Sequence, residues 1–185
     1  MDRISKAVHR LWGSLGTNDR LHATPRFADE LSSHCSTNGK LALRDERVSK
    51  WSYGEQLEHL YRGSHYVLDR LEEAMSGDHA AERRGMWGHS LMAAGFIPRG
   101  FFPTIPPLEP QGGTMEQIAP LRDSLQKRLA AVDLDLRRIK TSPGRSRHPR
   151  MQWLNSSEWF FFADVHHRHH LAIMRDIARR ARRQS

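Results

Sequence analysis

Residues 156–180 read SSEWFFFADVHHRHHLAIMRDIARR, and the reading of this stretch decides the fold. Trp159, Phe162, Ala163, Ile173 and Ile177 recur at helical spacing and mark one buried stripe. At about 100° per residue, His166 and His170 fall near the centre of that stripe, while His167 and His169 are displaced by roughly 80° to either side. Two imidazoles one turn apart on an interior face can share one ion, as in H-x-x-x-H helices. The competing reading is a pair of core histidines satisfied by hydrogen bonds. Two rings stacked on one apolar face are harder to satisfy in that way without a metal or a polar network. No Glu stands inside the motif, because His166 is followed by His167. The general base of a zinc peptidase is therefore missing.

Working outward, Asn155 and Glu158 form a capping box that starts this helix. A second box, Ser52 and Glu55, follows Trp51 and opens a helix expected near 52–75, with Leu57, Leu60, Ser64, Leu68 and Leu71 as its stripe. His59 and His65 both lie on it. The wheel does not single out His59, which falls beside Gln56 and Gly63 and off the leucine stripe. Leu121, Leu125, Leu129, Val132, Leu136 and Ile139 predict a third long helix over about 118–140, with Pro120 near its first turn. Ile4, Val8, Leu11 and Leu15 predict an N-terminal helix, and Thr24-Pro25 the start of a short one. Ser36 to Gly39 reads as a turn. Between the second and third helices, GFIPRGFFPTIPPLEPQGG at 95–113 is too rich in Pro and Gly for a regular element and too apolar for a free linker. It is expected to lie packed along the helices. No strand alternation is found. The pattern predicts an all-α four-helix bundle with a Pro-rich irregular insertion. Residues 1–25 would be an N-terminal helix and linker, 26–180 the bundle and 181–185 a basic tail.

Composition narrows the function classes. No apolar run approaches the roughly 18 residues of a membrane span, and the first residues do not form a signal peptide, so a cytoplasmic location is expected. Cys35 is the single cysteine, which excludes an intrachain disulfide and an all-thiolate metal site. The metal argument must rest on the 12 histidines. The net charge of +8 is concentrated at Arg145, Arg147, His148 and Arg150 and at Arg175, Arg179, Arg180, Arg182 and Arg183. Neither cluster is interleaved with aromatics or set in a DNA-reading motif. Both read as solvated helix ends, and a nucleic-acid partner is disfavoured.

WSYGEQLEHL at 51–60 resembles the first signature of the DinB/YfiT-like superfamily, and NSSEWFFFADVHHRHHLAIMRDI at 155–177 resembles its last. HPRMQWL at 148–154 is similar to a His-Pro element of some members. The resemblance spans about 26–180, with its specific motifs at the two ends. It implies a four-helix bundle with three histidine ligands around one divalent metal, zinc first and nickel second. On this chain the ligands fall on His59, His166 and His170. The His59 assignment rests mainly on the resemblance. Where many members carry Glu after the first histidine of the last motif, this chain has His167.

The resemblance further implies a thiol S-transferase that activates a small-molecule thiol, such as bacillithiol, mycothiol or glutathione, for attack on an electrophile. Arg99 is a candidate to hold carboxylates of that thiol. The alternatives are a hydrolase using metal-bound water and a non-enzymatic, stress-related metal-binding bundle. For the hydrolase, Glu55, Glu58 and Glu158 read as caps or surface residues and no base stands out. Relatives often form homodimers, and the sequence leaves both the oligomeric state and catalytic activity open. The last apolar position, Ile177, precedes an arginine run that reads as solvated. Deleting residues 180–185 should leave the melting temperature and metal content nearly unchanged, and a large loss of either would show that the tail packs or ligates.

Overall fold

The computed structural model describes residues 33–34, 38–100, 102–131 and 136–183. The expected N-terminal helix, the Thr24-Pro25 helix start and Cys35 lie outside them. The described chain is mostly helical. Its α-helices are α1 (Tyr53–Met75), α2 (Met86–Ala94), α3 (Met115–Ala131), α4 (Leu136–Thr141) and α5 (Ser156–Ala181). Short 3-10 turns occupy Asn38–Lys40 and Pro106–Leu108, and a two-stranded hairpin, β1 (Arg145–His148) and β2 (Gln152–Asn155), precedes α5. No helix among the described residues is long and apolar enough to cross a membrane.

Both capping boxes form. Glu55 N donates to Ser52 Oγ at 3.2 Å while Ser52 N donates to Glu55 Oε2 at 2.6 Å. Glu158 N donates to Asn155 Oδ1 at 2.8 Å, and Asn155 N to Glu158 Oε2 at 2.9 Å. Each satisfies backbone donors that a helix start leaves orphaned, a contribution of about 1 kcal/mol. Gly77, at φ +95°, follows the end of α1, as a left-handed helix stop requires.

The third helix differs from expectation. It starts at Met115, where the Gln117 side chain reaches back to the preceding residue: Thr114 N donates to Gln117 Oε1 at 3.2 Å. Pro120 therefore sits inside α3 rather than in its first turn. The expected run to 140 is divided between α3 and α4, with 132–135 outside the described residues. The short α2 was not foreseen.

The chain divides into two compact units. In the first, which includes Tyr66–Arg99 and 136–166 of the described chain, Leu71, Ala74, Leu91, Ile139, Met151, Leu154, Trp159 and Val165 are buried. Here the hairpin corrects the reading of 145–150 as a solvated helix end. β1 pairs antiparallel with β2, Arg145 opposite Asn155 and His148 opposite Gln152. Ser146 is fully buried and donates to Arg70 O at 2.6 Å. Arg145 and Arg84 both pair with Glu158, at 3.1 and 2.6 Å. A Cβ on Gly144 would stand 2.4 Å from Ala74 O, so only glycine allows this approach to the end of α1. Sequence alternation missed the strand because its inward residue is a serine, not an apolar one.

The second unit includes 38–65, 102–131 and 167–183 of the described chain. Leu57, Leu60, Tyr61, Ile118, Leu125, Met174 and Ile177 are buried in it. Arg179, Arg180, Arg182 and Arg183 are exposed, as expected of the tail.

His148 organises the hairpin turn. Its Nδ1 accepts Arg150 N at 3.1 Å and Met151 N at 3.2 Å, and its ring lies 4.8 Å from that of Phe162. Burial, followed by the charge of Arg150, pushes the ring down from 6.5 to about 3. It stays neutral when folded, whereas the unfolded chain takes up a proton below its ordinary value. The contribution to stability is thus complete above 6.5 and is lost as pH falls from there toward 3. Asn can accept the same backbone donors without titrating. His148→Asn should melt lower than wild type at neutral pH but with a shallower decline in Tm on acidification. Parallel slopes in thermal melts across pH would contradict this role.

Candidate metal centre

His59 enters from α1, and His166 and His170 from α5. All three are buried, at 3%, 9% and 8% exposure. One potential ligand atom from each lies within 4.8 Å of the others, the one such group of three His, Cys, Asp or Glu side chains among the described residues. His166 is the last residue of the first unit but stands one turn from His170 on the same unbroken helix, so the helix itself sets their spacing. The structure thus brings together the three histidines named from the sequence.

The hydrogen bonds say which atom of His59 and of His170 is presented. His59 Nδ1 lies 2.8 Å from Leu108 O. A carbonyl oxygen can only accept, so Nδ1 carries the proton and Nε2 keeps its lone pair. His170 Nδ1 lies 2.6 Å from Gln56 Oε1, and Gln56 Nε2 donates to Ser49 Oγ at 2.8 Å, which orients the amide. Nε2 again keeps the lone pair. Donation from the second ring nitrogen to a carbonyl is the usual support of a metal-bound imidazole.

Burial pushes His59 down from 6.5 to about 4, against a raising effect of the Leu108 carbonyl and with smaller lowering by His169 and His167. It is neutral at physiological pH, as a ligand must be. Trp51 covers the pair, its ring 4.8 Å from that of His59 and 6.4 Å from that of His170. The rings of His59 and His170 are 4.5 Å apart.

His65 and His167 make their hydrogen bonds elsewhere. His65 Nε2 lies 3.0 Å from Leu121 O. His167, expected at the edge of the apolar stripe, is buried, with Nε2 3.0 Å from Ser64 Oγ. Ser64 in turn donates to Leu60 O. Arg99, the candidate carboxylate holder, is exposed at the end of the first unit. Glu55 and Glu158 are caps as read, but Glu58 is fully buried, not a surface residue. Its environment, the Gln56 support and the Leu108 carbonyl were missed. Gln56 and His59 share helical spacing, a polar pair within a leucine-rich helix, and that signal could have found Gln56. A backbone carbonyl 49 residues away has no sequence signal.

Fold and site together define a mostly helical protein with a buried cluster of three histidines suited to a divalent metal. The chain belongs to the DinB superfamily, whose family model matches residues 2–174. No curated protein and no solved structure matches it.

If the three rings share one ion, removing one of them leaves too few ligands for a tetrahedral site. His59→Ala, His166→Ala and His170→Ala should each abolish stoichiometric metal in elemental analysis, while His65→Ala and His169→Ala should retain it. Loss of metal in His65→Ala with retention in His59→Ala would move the α1 ligand from His59 to His65.

Proposed function

We propose that His59, His166 and His170 hold one divalent ion, zinc first and nickel second, and that the protein is a thiol-dependent S-transferase. The observation that carries this reading is the buried cluster itself, in which two of the three rings have Nδ1 engaged by an amide carbonyl. A donor set of imidazoles suits zinc and nickel. Neutral ligands leave the ion's charge uncompensated, which favours an anionic fourth ligand. Bound there, the metal would supply a Lewis acid that lowers the pKa of a small-molecule thiol to within reach of neutral pH.

The chain's own residues hold the rings neutral and oriented, and the Trp51 ring covers two of them. Among the candidate bases, Glu55 and Glu158 are committed to caps, and the Glu58 carboxylate is filled by backbone and arginine donors. That favours a thiol, which ionises without a strong base, over water and hence over the hydrolase reading. A non-enzymatic, stress-related metal-binding protein is the remaining alternative. In this reading 1–25 is an N-terminal helix and linker, 26–180 a four-helix bundle and 181–185 a basic tail. A reducing cytoplasm would supply the thiol, and a homodimer fits the pattern of the relatives.

Metal analysis of purified protein combined with a thiol-consumption screen against an alkylating electrophile tests the proposal. The expected result is about one ion per chain and thiol loss that a chelator stops and zinc or nickel restores. Metal without thiol turnover would leave a binding protein, and hydrolysis of ester or amide substrates without thiol would favour the hydrolase.

A further inference from the structure

Glu58 has no exposed surface, and neither a helix cap nor the ligand cluster accounts for it. Its carboxylate takes Gln111 N at 2.9 Å on both oxygens, Gly113 N at 2.9 Å on Oε2, and Arg62 at 2.8 Å on Oε1. A buried carboxylate surrounded by donors in this way is a clamp. What it clamps is the end of the Pro-rich segment, three and five residues beyond Leu108, whose carbonyl receives the His59 proton. Only Glu109 and Pro110 intervene between Leu108 and Gln111, and proline has a fixed φ. Pinning Gln111 therefore restricts where the Leu108 carbonyl can point. The segment also touches the first turn of α1 through backbone alone. A Cβ on Gly54 would stand 2.1 Å from Gly113 O, and one on Gly113 2.2 Å from Glu55 N. Gly113 adopts φ +69°, which favours glycine.

We propose that Glu58 is a positioning residue of the metal centre: by clamping Gln111 and Gly113 to α1, it holds the Leu108 carbonyl on His59 and keeps Nε2 of that ring turned toward the other two histidines. Its consequence for metal affinity rests on the metal-site reading, whereas the clamp itself does not. Gln at position 58 would keep the shape but lose the charge, and its amide N–H groups would meet backbone donors.

The test reads the tautomer of His59 in metal-free protein from its ring ¹⁵N shifts, together with amide exchange at Gln111 and Gly113 and the zinc Kd. In Glu58→Gln the Nδ1–H form of His59 should give way to a mixture and both amides should exchange faster. His170, held by Gln56, should keep its tautomer. The zinc Kd should weaken by roughly 10- to 100-fold, as for loss of other supports of metal-bound histidines. Gly54→Ala reaches the same segment from the helix side without touching a charge, and should reproduce the His59 change. It decides the matter if Glu58→Gln does not fold. A folded Glu58→Gln or, failing that, Gly54→Ala with the His59 tautomer and the two amides unchanged would overturn the proposal. If wild type takes up no zinc while the tautomer and amides respond as described, the metal reading fails and the clamp stands.

Discussion

An imidazole buried in a protein can offer one nitrogen to a metal only if the other has an acceptor for its proton. The centre described above depends on that constraint. Leu108 O and Gln56 Oε1 meet it for His59 and His170, and each acceptor is itself held. Gln56 is fixed through Ser49. Leu108 belongs to a segment tied to α1 by Glu58 and by the Gly54–Gly113 approach. The Pro-rich stretch is thus a working part of the site and not a spacer between helices. Its prolines keep it from becoming helix, and its glycines let backbone meet backbone.

A parallel economy of polar contacts operates in the first unit. Glu158 caps the start of α5 and also gathers Arg84 and Arg145, so one carboxylate joins helix start, hairpin and the approach to α2. Partly buried ion pairs of this kind are costly to break singly, because the remaining charge loses its partner. Ser146 and Gly144 bring the hairpin to the end of α1 by hydrogen bond and close contact rather than by apolar burial.

The helical elements around the site were legible because their signals are local. Capping boxes at Ser52 and Asn155 placed α1 and α5 to within a residue, and the apolar stripe placed His166 and His170 on an inward face. The start of α3 is set by an equally local contact, the Gln117 side chain receiving Thr114 N, but it lacks the reciprocal half that makes a capping box recognisable. The hairpin was not legible in the same way. Its strands carry arginines, and its buried residues are Ser146 and Leu154, a pattern without period-two hydrophobicity. His167 shows the limit of the helical wheel. It lies off the stripe, yet it is buried against Ser64, since a helix can be covered on more than one side.

By itself, then, the sequence determined the helical class, the starts of the two long helices and the inward placement of His166 and His170, because turn-to-turn spacing and end capping are properties of neighbouring residues. Resemblance to family signatures, not periodicity, singled out His59. Tertiary structure alone decided that His59 meets the other two, which nitrogen each of His59 and His170 presents, and that Glu58 is a buried clamp. Those outcomes turn on contacts between residues about 50 to 110 positions apart. Nothing in a local pattern says which distant carbonyl or amide will complete a buried group's hydrogen bonds.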